Sequence, residues 1–213
     1  YVQEYKNYCN IRSPKIIAHN LQYCQNDKII NVQSKMKLQN NSLTDTLDDI
    51  TLYLNPGLKV KTVTSNNIKL DFTQRHQVFC IKKKILPNEI INLNVEYEGK
   101  INSDICHILV DNATYFNTYT DNGLLHLGKN YCFVNKTYTL LTPESLWYPT
   151  SSEANPFSNI KNNYCDYSLN VKINNLGKDK LVISQGTQKI CDNNTISFKN
   201  ENKLSGLSLC IGK

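Results

Sequence analysis

The 213 residues, 40% hydrophobic and 20% charged, suffice for one large β domain or two small ones and have an ordinary globular balance. No run of about 18 apolar residues occurs, so no helix of this stretch crosses a bilayer, and no secretory signal pattern opens it. The net charge of +6 does not point to nucleic acid, because the lysines are scattered and only Arg12 and Arg75 could offer a guanidinium fork to phosphates or bases.

In chain order, YVQEYKNY reads as a helical turn or a linker, and residues 1–15 are expected to be a linker or stalk. From there the period is two. IINVQSKMKL sets Ile30, Val32, Ser34, Met36 and Leu38 against polar neighbours, the alternation of a half-buried strand. ITLYLNPGLKVKTV gives two strands parted by Asn55-Pro56-Gly57, where proline fixes φ and glycine is expected to supply a positive φ. IKLDF, VFCIKKKI and IINLNVEYEGKI follow as strands, the last two parted by Leu86-Pro87-Asn88-Glu89. Residues 102–146 alternate only weakly and read as long excursions at one edge of the sheets. YSLNVKIN, KLVISQG and TISFKN resume the strand pattern at the short spacing of a sandwich. The expected fold is an all-β, multi-stranded β-sandwich of about a dozen strands. It occupies residues 16–213 as one domain, and the chain reads as a fragment of a longer one.

The chemistry-bearing residues form no familiar constellation. None of the eight cysteines makes a CxxC pair, so a zinc ribbon is disfavoured, and zero to two disulfides are expected. The four histidines lie at no metal-ligand spacing, and HExxH, GxSxG and P-loop patterns are absent. SDICH brings Asp104, Cys106 and His107 close in sequence. In an extended strand the last two would face opposite ways, which favours a structural role. Glu144 and Glu153 flank LTPESLWYPTSSEANPF but read as loop acids rather than a general acid–base pair. Asn112, Asp121 and Asn122 lack EF-hand order. The sequons starting at Asn40, Asn112, Asn135 and Asn193 are expected by chance in so asparagine-rich a chain. The only tryptophan, Trp147, stands beside Tyr148 and Pro149. With Glu144 these are the candidate ligand or interface residues. They read either as a stacking platform shared with Tyr115, Phe116 and Tyr119, or as a buried anchor for the excursion, and the anchor is the preferred reading.

The order of these motifs resembles the N-terminal β domain of M1-family (gluzincin) aminopeptidases over residues 16–213. The resemblance rests on the Leu54-Asn55-Pro56-Gly57-Leu58 turn; on Pro87, Glu89, Tyr97 and Gly99; on Tyr148-Pro149; on Ser184-Gln185-Gly186; and on the closing LSLCIGK. EYKNYCNIRSPKI and LTPESLWYP further resemble Bacteroidetes ABC-type transporter permeases that carry an M1-like extracytoplasmic region. The resemblance implies a downstream domain of the same chain and membrane-spanning segments of the parent as partners. It also implies a periplasmic location at the inner membrane, no nucleic acid, no cofactor in this piece, and zinc only in a downstream domain. Departures matter too. HExxH and GxMEN are absent, Tyr148-Pro149-Thr150-Ser151 replaces the family's phenylalanine–proline–cysteine–aspartate step, and Glu144 lies too close to Pro149 to inherit the amine-gripping role. Three functional readings follow: a non-catalytic module packed on a neighbouring domain, the cleft-shaping front of an active zinc aminopeptidase, or a glycan- or peptide-binding surface.

Overall fold

The computed structural model describes residues 1–111, 113, 129, 132–152, 164–172, 180–192 and 194–213. Among them fifteen strands fall into three sheets. The largest is built from β1 (Lys15–Asn26), β2 (Ile29–Gln39), β4 (Leu58–Ser65), β5 (Ile68–Lys69), β8 (Ile90–Gly99), β11 (Asp166–Lys172), β13 (Thr187–Asp192) and β14 (Thr195–Lys199). Its order is β13-β14-β11-β1-β2-β8-β4-β5, with β1 and β11 parallel and the other neighbours antiparallel. A four-stranded sheet runs β12 (Leu181–Ser184), β15 (Leu209–Gly212), β10 (Thr139–Leu141), β9 (Phe133–Val134). A three-stranded sheet runs β3 (Ile50–Tyr53), β7 (Val78–Ile81), β6 (Phe72–Arg75).

Alternation explains the layering. His19, Leu21 and Tyr23 of β1, Val32, Met36 and Leu38 of β2, and Leu93, Val95 and Tyr97 of β8 all point to one face. Their polar neighbours point to the other. The apolar face joins residues of both smaller sheets in one core, and that shared core is what makes the assembly a sandwich. Register shifts at Ile16/Ala18 and Val60/Thr62 let β1 and β4 bend with the sheet. The doublet Asn66-Asn67 has positive φ at both residues (49° and 65°), the requirement of a two-residue hairpin turn, and joins β4 to β5.

Several expectations change. The strands number fifteen among the described residues rather than about a dozen. IKLDF divides into β5 and the start of β6, which belong to different sheets. Residues 102–146 contain β9 and β10. Residues 1–15 hold the seven-residue helix α1 (Val2–Tyr8) and the first residue of β1. The helix end lies against the β6–β7 hairpin: Gln77 Nε2 donates to the Tyr1 carbonyl at 2.7 Å, and Glu4 pairs with Arg75 at 3.6 Å. Gly57 is needed for a different reason from the expected one. Its φ is not positive, but a Cβ there would lie 2.0 Å from the Lys100 carbonyl oxygen. Asn40, nominally a sequon, is fully buried, and its amide donates to the carbonyls of Asp45, Ile85 and Leu86.

Asn55 ties the β3–β4 turn to the excursion. Its buried side chain donates to the carbonyls of Ser145 (2.6 Å) and Asn102 (3.0 Å) and accepts from the N–H groups of Gly57 and Asn102 (both 2.9 Å). Replacing it strands several buried backbone groups at once. Asn55→Ala should lower stability by about 3 kcal/mol in urea unfolding, whereas a loss under about 0.5 kcal/mol would mean these bonds hold nothing.

Candidate functional site

The segment from Thr142 to Thr150 is where the excursion rejoins the sandwich. Pro143–Ser145 form a 3-10 turn, with proline in the first turn where its missing N–H leaves no bond unmade. The turn ends at Leu146 in the left-handed region (φ 51°, ψ 38°), a costly conformation for leucine. Three contacts hold it there. The Leu146 side chain is buried beside Tyr53, Val78, Ile105 and Cys106, its N–H donates to Pro143, and its carbonyl accepts from the Asn55 N–H at 2.8 Å. The reversal aims the next two aromatic rings inward.

Trp147 is 0% exposed. Its ring meets Tyr23 and Tyr148 edge to face at 6.0 and 4.9 Å, and its Nε1–H donates to the Leu207 carbonyl at 3.1 Å. Its own carbonyl accepts from the Tyr97 hydroxyl at 3.1 Å. Tyr148 is equally buried, with edge contacts to His19 and Tyr167, and its hydroxyl oxygen accepts from the Leu207 N–H at 2.8 Å. Pro149 is buried, and Thr150 closes a two-bond bridge to Tyr53. Glu144 is half-buried on the 3-10 turn. Burial pushes the Tyr148 phenol up, and the Glu144 carboxylate adds to that. The four candidate residues therefore lie on one short segment, Glu144 on the 3-10 turn and Trp147, Tyr148 and Pro149 after it, but the faces of Trp147 and Tyr148 are spent inside the fold. Tyr115, Phe116, Tyr119 and Glu153 lie outside the described residues, as do Asn112, Asp121 and Asn122.

SDICH is not an extended strand. Ser103–Ile105 make a 3-10 turn, Cys106 follows in extended geometry, and His107 takes φ 53°. Burial lowers the His107 pKa, opposed by Glu144. Among the described residues no group of three or more His, Cys, Asp or Glu could hold a metal ion. The polar face of the large sheet forms an open trough of about 790 Å³ lined by Asn20, Gln33, Lys35, Asn94, Ser168 and Lys199 among others.

A different surface stands out chemically. On the four-stranded sheet the direct cross-strand partners Ile183, Cys210, Leu140 and Phe133 form one row on the outer face, because opposed residues of antiparallel strands share a side. Leu181, two residues from Ile183, extends the row, and the Tyr138 ring lies against Gly212. Exposures of 60% for Ile183, 67% for Leu181, 39% for Phe133 and 40% for Tyr138 leave an apolar face in solvent. The inner partners Val182, Ile211 and Leu209 are buried. The run LVI was the available signal, since a strand apolar on both faces is built to be covered on both.

The sequence matches no protein-family model and no curated protein. Solved structures do match in fold. An M1 zinc metallopeptidase from Deinococcus radiodurans superposes with a TM-score of 0.65 at 13% identity, over 94% of this chain and 42% of that one. The fold is that of the N-terminal β domain of M1 zinc peptidases. Legionella pneumophila aminopeptidase A, solved with aspartic acid, matches at 0.65 and 14% identity over 96% of this chain and 22% of its own. Yeast LTA4 hydrolase matches at 0.60 and 13% over 94% and 29%. The chain thus spans less than half the length of each of these structures.

Two outcomes test this account of the segment. Tyr148→Phe removes the acceptor for a buried Leu207 N–H and should cost about 1–3 kcal/mol in denaturant unfolding; an unchanged midpoint would remove the anchoring role. His19, fully buried with its Nε2 2.7 Å from Ser34 Oγ, is lowered by burial from its usual 6.5 to about 3. The unfolded chain therefore takes up a proton near pH 6.5 that the folded chain refuses until about pH 3. Stability is full above the unfolded value and falls as pH drops, by roughly 2 kcal/mol between pH 6.5 and 5. His19→Gln should flatten that slope, and an equal slope in the variant would assign it to other groups.

Proposed function

We propose that this chain is a non-catalytic β-sandwich module of a larger M1-peptidase-like protein, packed on a neighbouring domain through the outer face of its four-stranded sheet. The observation that carries the reading is the row of Ile183, Leu140, Phe133, Leu181 and Tyr138 side chains, at an exposure that a soluble surface rarely concentrates in one place. The matched structures, at least twice as long as this chain, support a setting in which further domains are available to cover it. The aromatic segment 147–149 supports the same reading by holding the fold together from within. The finer setting, the extracytoplasmic region of a transporter permease with membrane-spanning partners, rests on the likeness of EYKNYCNIRSPKI and LTPESLWYP alone.

The second reading, the front of an active zinc aminopeptidase, draws on the matched structures being named as zinc metallopeptidases and aminopeptidases. The gene beyond the codon for Lys213 separates the two. HExxH with a distant glutamate there favours the peptidase; its absence there, together with apolar spans of about 20 residues encoded ahead of Tyr1, favours the permease.

In solution the 213-residue chain should bind a hydrophobic fluorescent dye or self-associate. The double variant Leu181→Lys, Ile183→Asp should reduce either effect while changing stability by no more than about 0.5 kcal/mol, as for surface positions. An unaltered chain that stays monomeric and binds no dye would remove the docking face. Zinc-dependent hydrolysis of aminoacyl amides by these residues alone would overturn the non-catalytic assignment.

A further inference from the structure

The eight cysteines occupy unlike settings. Cys9 and Cys191 are exposed, Cys24 and Cys210 lie on the outward faces of two different sheets, and the Cys80 thiol lies 3.8 Å from Thr51 Oγ1. Cys165 is buried at the foot of β11, its thiol turned to the Asp166 carbonyl at 3.5 Å. Cys80 packs at the edge of the small apolar cluster that holds Leu146, whereas Cys106 and Cys132 are buried within it. These two lie 26 positions apart in sequence, and each thiol is the first influence on the other's ionisation.

Each is delivered by a defined element. Cys106 caps the Ser103–Ile105 turn, with its N–H donating to the Ser103 carbonyl at 3.0 Å. Cys132 immediately precedes β9, with its Sγ 3.2 Å from Thr142 Oγ1, beside the Ser145 hydroxyl that donates to the Thr142 carbonyl at 2.7 Å. The two thiols therefore share one buried cluster with Leu146, the residue that ends the 3-10 turn carrying Glu144.

We propose that Cys106 and Cys132 are a disulfide pair, closed by exchange with a disulfide oxidant of the glutathione type, and that the bond staples the Ser103–Ile105 turn to the strand that enters LTPESLWYP. Cys132 is the attacking sulfur. The neighbouring Cys106 thiol first, then the Thr142 hydroxyl 3.2 Å away, lower its thiol to about 7 against the burial that raises it, while Cys106 is pushed up. The Cys132 thiolate attacks one sulfur of the oxidant, forms a mixed disulfide and expels the first thiolate. Cys106 then gives up its proton, attacks Cys132 Sγ and expels the second. Two protein thiols lose two electrons and two protons, and one oxidant disulfide becomes two thiols. Because both sulfurs are covered in the folded chain, the exchange runs during folding or through local opening.

The test is a peptide mass map of the unaltered 213-residue chain after incubation with oxidised glutathione, alkylation in denaturant and non-reducing digestion. One linked pair of peptides containing Cys106 and Cys132, lighter by two hydrogens, is expected, with the other six cysteines alkylated. The oxidised chain should also melt roughly 8 °C higher, as closing a loop of this length implies, and a dithiol reductant should abolish the rise. Cys132→Ser should lose both the link and the rise. Alkylation of both residues, pairing of either with another cysteine, or glutathione retained on Cys132 without a link to Cys106 would overturn the proposal. A linked pair that melts at the reduced temperature would overturn the staple.

Discussion

The fold turns on what two adjacent aromatic side chains do to one residue far along the chain. The indole N–H of Trp147 donates to the Leu207 carbonyl, and the Tyr148 hydroxyl accepts from the Leu207 N–H, so both backbone groups of Leu207 are satisfied by the same dipeptide. Leu207 is fully buried and two residues from β15, a central strand of the four-stranded sheet. A buried amide without those partners would cost a few kcal/mol, comparable with much of a domain's net stability. The two rings also fill the space between Tyr23, Tyr97, His19 and Tyr167, and so join the large sheet to the small one.

That lock needs the backbone to arrive at the right angle. Leu146 in the left-handed region is the turning point, and the fold holds it by burying its side chain and engaging its carbonyl through Asn55. Asn55 in turn is held by the close backbone approach that Gly57 permits. A chain of local necessities thus runs from a turn between β3 and β4 to the aromatic pair. Its product is structural: it leaves no aromatic face of Trp147 or Tyr148 free for a ligand and places the available apolar surface elsewhere, on the outer side of β12, β15, β10 and β9.

Much of this was legible in the residues. IINVQSKMKL, IINLNVEYEGKI and YSLNVKIN carry the period of two because each buries one face only, and they became β2, β8 and β11. KIIAHNLQYCQN, which forms β1, carries the same period less visibly, because its buried positions include His19 and Gln25, whose polarity hides the alternation. β9 and β10 are two and three residues long, too short for any periodicity to register. The anchor at Trp147 was readable as an aromatic cluster between prolines, but its partner Leu207 was not, since nothing in the chain order ties residues 60 apart. The apolar row was hidden for a related reason: Phe133, Leu140, Cys210 and Ile183 come from four strands and meet only through register. The meeting of Cys106 with Cys132 likewise depends on a 3-10 turn that the sequence presents as an ordinary polar stretch.

The central claim is that the outer face of the four-stranded sheet is covered in the parent protein. Hydroxyl-radical footprinting of Phe133, Tyr138, Leu181 and Ile183, compared between the 213-residue chain and the full-length parent, tests it most directly. The account predicts strong oxidation of all four in the short chain and protection in the parent. Equal oxidation in both would contradict it.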